Sequence, residues 1–365
     1  MNQEILHVVG ARPNFPKAAP VLHALERRGA RQVLIHTGQH YDDALSEAFF
    51  RDLAIPHPDI NLAIGSGTHA GQTAAIMVGL EAIVFERRPA LIVVYGDVNS
   101  TVAAALVASK LGIPVAHVEA GLRSFDRTMP EEINRIVTDR LADLLFVTSR
   151  DAIDHLRAEG VPREHIHFVG NPMIDTLLAH IDSFDPESQR ARLGLPPEYA
   201  VATMHRPGNV DSDEAAAMVV RALHEVAGLV PIVIPVHPRG RASLERAGLL
   251  GHPGIIAVDP MPYTDFLGLV RGARLVITDS GGLQEETTVL GVACLTMRPN
   301  TERPVTITHG TNQLVTPAGL MAAARQVLGN GAPLDLRIPE LWDGSAGERI
   351  AEVLWAYTRD IQEAK

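Results

Sequence analysis

The amino-acid sequence predicts an α/β protein built from two doubly wound, mostly parallel sheets, and three observations support this fold class. The chain has 365 residues, more than one hydrophobic core usually organises, so two domains are expected. Hydrophobic residues make up 46% and charged residues 21%, which is typical of a globular protein. Short apolar runs alternate with segments of helical periodicity, which is the sequence pattern of βαβ units.

The first half of the chain contains six short apolar runs, each followed by a polar or glycine-containing turn. These runs predict β-strands at residues 5–9, 32–36, 91–95, 115–118, 144–147 and 165–169. A helix is expected to start near Pro172, and we place the first domain at residues 1–180.

The second half repeats the pattern without repeating the sequence. Strands are predicted at residues 199–203, 232–236, 255–258, 275–278 and 293–297, with helices at 211–226 and 264–271. The polar, proline-containing segment 182–187 is interpreted as the linker, and the second domain is placed at residues 181–345. The C-terminal segment 346–365 has helical periodicity and is expected to pack back onto the first domain.

Charge and cysteine content narrow the classes of function. A formal net charge of −11 argues against a nucleic-acid surface, because phosphate backbones are bound by concentrated positive charge. The single cysteine, Cys294, excludes internal disulfides and cysteine-based metal clusters. No secretion signal and no membrane-spanning apolar run is apparent, so a cytoplasmic enzyme is expected.

The sequence contains no motif typical of a dinucleotide site or of a metal site. Gly65-Ser66-Gly67 has neither a preceding strand nor a third glycine, so no dinucleotide fingerprint is present. No HExxH element or close His/Asp cluster indicates a metal. We therefore expect neither NAD nor a metal ion.

Ligands of open α/β sheets bind beyond the carboxyl ends of the strands, so residues directly after each run are the first candidates. The segment after the first strand reads Gly-Ala-Arg-Pro-Asn-Phe-Pro-Lys and contributes the cations Arg12 and Lys17. It lacks the glycine spacing and the Gly-Lys-Ser/Thr ending of a Walker loop. An ordinary surface turn is the alternative explanation.

Three carboxylic acids, Asp97, Glu119 and Glu131, follow strands or begin a helix. Grouped carboxylates raise one another's pKa, which makes a carboxyl group useful as an acid or a base near neutral pH. Helix capping is the better explanation for Asp97, and for Glu131, when either residue is considered alone.

The second half contributes a glycine turn and cations at strand ends. Ser280-Gly281-Gly282 follows a strand and opens a helix, so backbone N–H groups and the helix dipole could bind a phosphate. Glu286, one turn later, could accept hydrogen bonds from a ribose diol. A glycine turn of this kind occurs in many α/β proteins. His205 follows another strand, and its position rather than its residue type makes it a candidate.

Nine motifs occur in a fixed order between residue 10 and about residue 315. They read GARPNFPK, TGQH, GDVNST, HVEAGLRS, PEEINR, GNPMIDT, an HR element, DSGGLQEE and TERP. Together they resemble the non-hydrolysing UDP-N-acetylglucosamine 2-epimerases over nearly the whole chain.

The resemblance implies a glycosyltransferase-B-like fold, in which two Rossmann-like domains face each other across a cleft and close over UDP-GlcNAc. It implies reversible conversion of UDP-GlcNAc to UDP-ManNAc without a cofactor, and a homodimer. The motif match assigns catalytic roles to Asp97, Glu119, Glu131 and His205. It assigns substrate contacts to Arg12, Lys17, Arg123, Arg135, Ser280, Gly281, Gly282, Glu286 and Arg303.

The chain departs from the family pattern at several positions. In the family's HRxEN element, which corresponds to residues 205–209, Gly208 replaces the acidic residue. Further along the chain, Val292-Ala293 replaces a Lys-Pro pair of the family. The arginines of the family's regulatory UDP-GlcNAc site are missing from Gln39-His40-Tyr41 and from Gly71-Gln72-Thr73. Activation by substrate is therefore expected to be weak or absent.

Three alternatives remain open from the sequence alone. A hydrolysing relative would release free ManNAc and UDP, and a glycosyltransferase of the same architecture would need an acceptor. A non-catalytic sugar-nucleotide sensor would gain nothing from acids grouped beside a diphosphate.

Overall fold

The computed structural model describes residues 4–38, 55–329 and 337–363. The chain forms two compact units. The first comprises Met1–Ala179 together with Glu340–Lys365, and the second comprises His180–Pro339. Each unit is built around one parallel sheet with helices packed against it.

The sheet of the first unit has seven strands among the described residues, in the order β3-β2-β1-β4-β5-β6-β7. Every strand pairing is parallel, and the apolar side chains of the central strands are buried. The strands are β1 (Ile5–Val9), β2 (Gln32–His36), β3 (Ile60–Asn61), β4 (Leu91–Tyr95), β5 (Val115–Ala120), β6 (Leu144–Val147) and β7 (Ile166–Phe168).

Helices cover both faces of this sheet. They are α1 (Phe15–Arg27), α2 (His69–Arg87), α3 (Asn99–Lys110), α4 (Pro130–Leu141), α5 (Arg150–Ala158), α6 (Pro172–Ala179) and the C-terminal helix (Ala346–Glu363). The C-terminal helix packs against α1 and α6, and α3 packs against α2 and α4.

The contact between the C-terminal helix and α1 depends on a glycine. A Cβ atom on Gly347 would lie 2.7 Å from the backbone of Pro20, closer than non-bonded atoms approach. The backbone N–H of Gly347 donates to Asp175 at 2.7 Å. Burial raises the pKa of Asp175 to about 6 despite this hydrogen bond.

The sheet of the second unit has six strands among the described residues, in the order β10-β9-β8-β11-β12-β13. They are β8 (Ala200–Thr203), β9 (Ile232–Pro235), β10 (Ile255–Val258), β11 (Leu275–Thr278), β12 (Cys294–Thr296) and β13 (Asn312–Leu314). The helices are α7 (Pro186–Leu193), α8 (Pro207–Val210), α9 (Asp213–Ala227), α10 (Pro238–Arg246), α11 (Tyr263–Arg271), α12 (Gly281–Leu290), α13 (Val305–Thr308) and α14 (Pro317–Gly329).

All eleven predicted strands are present, and the predicted fold class of two parallel α/β sheets is confirmed. Five runs differ from the observed strands by one or two residues at an end. The strands β3 and β13 were not predicted, because β3 has only two residues and β13 is polar at two of its three positions. No described helix is both long and apolar enough to cross a membrane.

Candidate active site

The strand order of the first unit reverses between β1 and β4, and such a switch point is where open parallel sheets bind ligands. Asn14 ties the two strand ends together. Its Oδ1 accepts hydrogen bonds from the backbone N–H groups of Gly10 at 3.0 Å and Ala11 at 3.1 Å, and its Nδ2 donates to the carbonyl of Tyr95 at 2.8 Å. The sequence motif contained Asn14, but no role was predicted for it.

Two predicted cations follow this turn. Arg12 begins a short 3₁₀ helix, Arg12–Asn14, and is half-buried. Lys17 is buried in the first turn of α1, and its ammonium forms an ion pair with the carboxylate of Glu119. The positive charge of Lys17 therefore lies beside one of the predicted catalytic acids.

Glu119 has a strained backbone. Its φ of 73° lies in the left-handed region, which costs a residue other than glycine about 1–3 kcal/mol. The register between β5 and β6 shifts between Val118 and Ala120, so Glu119 forms a bulge near the carboxyl end of β5. Bulges commonly redirect a side chain next to an active site, and here the buried carboxylate of Glu119 contacts Lys17.

Asp97 follows β4 and is held by helix α4. Its carboxylate pairs with Arg135, and its carbonyl accepts a hydrogen bond from Asn134 Nδ2 at 2.8 Å. The guanidinium of Arg135 also pairs with Glu132 at 2.6 Å. Arg135 is thus fixed between two carboxylates, and it fixes Asp97 in turn.

Glu131 lies in the first turn of α4, directly after Pro130, and is half-buried. Among the described residues, its carboxylate forms no hydrogen bond or ion pair. Residues three and four positions further along a helix share its face, and here these are Asn134 and Arg135, the two residues that hold Asp97. The helix therefore presents Glu131 on the side that faces Asp97.

Gly96 connects Asp97 to the Lys17–Glu119 pair. A Cβ atom on Gly96 would lie 3.0 Å from Lys17 Nζ and 3.1 Å from Glu119 Oε2. The described residues of the first unit therefore bring Lys17 and Glu119 next to the Gly96–Asp97 turn, at the carboxyl ends of β4 and β5.

Arg123 belongs to a buried ion network behind these acids. Its guanidinium donates to Asp139 and to both carboxylate oxygens of Glu159, each at 2.7 Å. His117 also contacts Asp139, at 2.6 Å. Burial alone would raise the pKa of Asp139, but His117 and Arg123 more than compensate and lower it.

The strand order of the second unit reverses between β8 and β11, and His205 and Asp279 follow these two strands. The buried carboxylate of Asp279 lies 2.9 Å from His205 Nδ1 and accepts backbone N–H hydrogen bonds from His205 and Arg206. It also accepts one from Asn209 Nδ2 at 3.0 Å. Because Asp279 engages Nδ1, Nε2 is the nitrogen of His205 that can contact a ligand.

These contacts explain the acidity of Asp279. Burial favours its neutral form. The hydrogen bond and charge of His205, together with the hydrogen bonds of Asn209 and of the Arg206 backbone, outweigh burial and lower the pKa of Asp279 to about 2. Asp279 was part of a quoted motif but was not predicted as a site residue. Its position directly after a strand was the signal that could have identified it.

The predicted nucleotide loop opens helix α12. Ser280 is the N-cap residue, and its side chain accepts a hydrogen bond from the backbone N–H of Leu283 at 3.4 Å. A Cβ atom on Gly281 would lie 2.6 Å from Nη1 of Arg303, so only glycine allows this approach. Gly282 is the second residue of the helix.

Arg303 is buried and held by two carboxylates, Glu302 and Glu285, the latter at 3.1 Å. Glu302 also pairs with Arg298 at 2.6 Å. Arg303 therefore lies beside the N-terminus of α12, which is formed by the N-cap Ser280 with Gly281 and Gly282. A cation next to a helix N-terminus is suited to binding an anionic group.

Glu286 lies in the same helix and is buried close to Tyr263. Burial raises the pKa of Glu286 to about 7, and its interaction with the Tyr263 hydroxyl offsets only part of this effect. Burial and the proximity of Glu286 raise the pKa of Tyr263 as well. A carboxyl group of this kind changes its protonation state near neutral pH.

The described residues contain no group of three histidine, cysteine, aspartate or glutamate side chains arranged to hold a metal ion. The predicted regulatory residues Gln39, His40 and Tyr41 lie outside the described residues. Gln72, from the second predicted regulatory element, accepts a hydrogen bond from Asn99 Nδ2 at 2.8 Å.

Comparison with known proteins identifies relatives along nearly the whole chain. The family model described as UDP-N-acetylglucosamine 2-epimerase matches residues 23–355. The UDP-2,3-diacetamido-2,3-dideoxy-D-glucuronate 2-epimerase of Pseudomonas aeruginosa is 42% identical over 96% of this chain and 99% of its own. The UDP-N-acetylglucosamine 2-epimerase of Methanocaldococcus jannaschii is 38% identical over 95% of this chain and 97% of its own.

Solved structures show the same similarity. The crystal structure of the M. jannaschii enzyme in complex with UDP-GlcNAc and UDP has a TM-score of 0.91, covering 97% of this chain and 99% of that one at 38% identity. The Neisseria meningitidis enzyme bound to UDP-GlcNAc has a TM-score of 0.89 at 26% identity, covering 97% of this chain and 100% of that one. From the motifs, the two parallel sheets and these matches, we conclude that this chain belongs to the UDP-N-acetylglucosamine 2-epimerase family.

Proposed function

We propose that this protein reversibly inverts C2 of a UDP-2-acetamido sugar, with UDP-GlcNAc and UDP-ManNAc as the substrate pair. The observation that carries this proposal is the grouping of Asp97 and Glu119 with cations at one sheet edge of the first unit, next to the helix that begins with Glu131 in its first turn. Acids grouped in this way can exchange protons, and the second unit contributes residues suited to a nucleotide.

The chemistry explains why several acids are needed. The C2 proton of UDP-GlcNAc is not adjacent to a carbonyl, so its removal alone would leave an unstabilised carbanion. We propose that a base removes this proton while the C1–O bond to UDP breaks, which gives 2-acetamidoglucal and UDP. Re-addition of UDP at C1, with a proton delivered to the opposite face of C2, completes the inversion.

Each predicted residue receives a role in this scheme. Asp97 and Glu131 form the proton-transfer pair, with Glu119 in support, and Arg12, Lys17 and His205 stabilise the departing diphosphate. Ser280, Gly281, Gly282, Glu286 and Arg303 bind the UDP moiety. Arg123 and Arg135 act as positioning residues, because their guanidinium groups are engaged in internal ion pairs.

A product assay tests the proposal against its alternatives. Incubation with UDP-GlcNAc alone should yield UDP-ManNAc, and UDP-ManNAc alone should react without added UDP-GlcNAc, since the arginines of the regulatory motifs are missing. Accumulation of free ManNAc would indicate the hydrolysing reaction, whereas a requirement for an acceptor would indicate a glycosyltransferase.

A second substrate has support from a specific comparison. The P. aeruginosa relative, which is 42% identical over 359 residues, is named for a 2,3-diacetamido glucuronate sugar nucleotide. The C2 chemistry of that substrate is the same, because it also carries a 2-acetamido group. Parallel measurement of kcat/KM with both sugar nucleotides decides between them, since the preferred substrate has the larger value.

UDP affinity should depend on the protonation of Glu286. A ribose diol donates hydrogen bonds to a carboxylate, so binding favours the deprotonated form of a group whose pKa in the free protein is about 7. Below that pH, affinity should fall by about tenfold per pH unit. The measurement is the ratio of the Kd of 2′-deoxy-UDP to that of UDP, since the two ligands share the same diphosphate.

In wild-type protein this ratio should rise with pH between about pH 5 and pH 7 and then level off. In Glu286→Gln it should be independent of pH. A wild-type ratio that stays constant across this range would refute the ribose-binding role of Glu286.

The predicted homodimer has a candidate surface on helix α2. The buried face of α2 contains Ile76 and Leu80, whereas Val78 is 72% exposed and Phe85 is 62% exposed on the other side. Exposed alanines at positions 74, 75 and 82 continue this apolar face. Contiguous exposed apolar surface of this kind usually marks an interaction site, and we propose a second copy of the chain as the partner.

Light scattering coupled to size exclusion measures the mass directly. Wild-type protein should have about twice the monomer mass of 39.3 kDa, and the double variant Val78→Asp/Phe85→Glu should have the monomer mass. Leu250→Glu is the matched control, because Leu250 is an exposed apolar residue of the second unit. A dimer that persists in the double variant would refute this interface.

A further inference from the structure

His117 is fully buried on β5, and both nitrogens of its ring face hydrogen-bond acceptors. Nδ1 lies 2.6 Å from Asp139 Oδ1, and Nε2 lies 2.8 Å from the carbonyl oxygen of Gly96. A carbonyl has no proton to donate. Asp139 is held as a carboxylate, because its Oδ2 forms an ion pair with buried Arg123 and accepts from the N–H of Gly121. Despite burial, the charges of His117 and Arg123 lower the pKa of Asp139. Both contacts are hydrogen bonds only if both ring nitrogens carry protons.

The charges around His117 balance when its ring is an imidazolium. The network then contains two positive groups, His117 and Arg123, and two negative groups, Asp139 and Glu159. With a neutral ring, the four groups would together carry one excess negative charge. The neighbouring Lys17–Glu119 pair, on the other side of Gly96, is neutral overall.

The network contacts both turns that hold the proposed acids. Nε2 of His117 holds the carbonyl of Gly96, the residue before Asp97. Through Asp139, the same ring is linked to the N–H of Gly121, two residues after Glu119. This second turn is strained at Glu119, whose φ is left-handed, and contacts of this kind help to hold it.

We propose that His117 is a doubly protonated positioning residue that fixes the Gly96–Asp97 turn relative to the Glu119–Gly121 turn. The ring touches no reacting atom and acts through the backbone at Gly96 and through Asp139. The kinetic consequence rests on the proposed function, whereas the protonation of the ring is a property of the free protein.

Nitrogen NMR of the free wild-type protein, labelled with ¹⁵N in its histidine rings, tests the protonation directly. The ring signals of His117 are assigned in the wild-type protein by through-bond correlation with the backbone signals of residues 116–118. At neutral pH, where an ordinary histidine is mostly neutral because its pKa is about 6.5, both ring nitrogens of His117 should carry a proton. Asp139→Asn should return the ring to a single proton. A wild-type ring with one unprotonated nitrogen would overturn the proposal, even if the variants fail to fold.

Kinetics test the positioning role. His117→Gln should lower kcat by about 10²-fold, because small displacements of reacting groups are costly, and should change KM by less than about threefold. His165→Gln is the matched control, since His165 also forms one hydrogen bond to a backbone carbonyl, that of Asp143 at 2.7 Å. An unchanged kcat in His117→Gln would overturn the positioning role. A wild-type protein without epimerase activity would refute the proposed function, and the NMR result would still decide the protonation.

Discussion

Asp97→Asn and Glu131→Gln should each slow the exchange of the C2 proton with deuterated solvent by about 10²–10⁴-fold and leave UDP binding intact. A positioned general acid or base contributes an effect of this size. Both substitutions preserve the size of the side chain and remove its ability to transfer a proton. UDP affinity should persist, because the residues assigned to the UDP moiety belong to the second unit and the diphosphate cations Arg12 and Lys17 are left in place.

Two exposed carboxylates of the first unit provide matched controls for these variants. Asp154→Asn in α5 and Glu164→Gln in the 3₁₀ helix Arg163–His165 make the same chemical changes away from the strand ends. Exchange in these controls should equal that of the wild type. Undiminished exchange in both Asp97→Asn and Glu131→Gln would refute their assignment as the proton-transfer pair.

Asp279→Asn should lower the free energy of unfolding of the second unit by at least about 2 kcal/mol at neutral pH. The folded protein lowers the pKa of Asp279 from 3.8 to about 2, and one pKa unit corresponds to about 1.4 kcal/mol. The amide also places an N–H₂ donor where the carboxylate accepts from His205, Arg206 and Asn209. The orientation of His205 should be lost as well, with a fall in kcat of about 10²-fold.

Because the pKa of Asp279 is lowered in the folded state, its stabilisation is present above about pH 4 and is lost as the pH falls towards about 2. The difference in stability between wild type and Asp279→Asn should therefore shrink over this range.

Thermal unfolding followed by circular dichroism reports both units. Tryptophan fluorescence reports only the first unit, which contains both tryptophans, Trp342 and Trp355. A variant whose circular dichroism transition is unchanged would contradict this role of Asp279.

The fold could be predicted from sequence because each central strand is a short, continuous apolar run bounded by turns. Such runs arise when a strand is buried on both faces of a parallel sheet, as β1 and β4 are. The strands β3 and β13 lack this signal. Ile60–Asn61 has only two residues, and Asn312–Leu314 is polar at two of its three positions.

The candidate site could be predicted in part. Position after a strand was sufficient to select Asp97, Glu119 and His205, since the carboxyl ends of parallel strands share one edge. The pairing of these residues could not be predicted, because Lys17 and Glu119 are 102 positions apart in the sequence. The roles of Asn14 and Asp279 were missed for a similar physical reason, because Asn14 also contacts Tyr95 of β4, and Asp279 contacts His205, which follows β8.

Deuterium incorporation at C2 is the measurement that tests the central claim most directly. Wild-type protein and UDP-GlcNAc, mixed in deuterated buffer and followed by NMR, should give UDP-GlcNAc and UDP-ManNAc that have both exchanged the C2 proton for deuterium. Formation of UDP-ManNAc that retains the original C2 proton would contradict the removal and return of that proton by side chains of this protein.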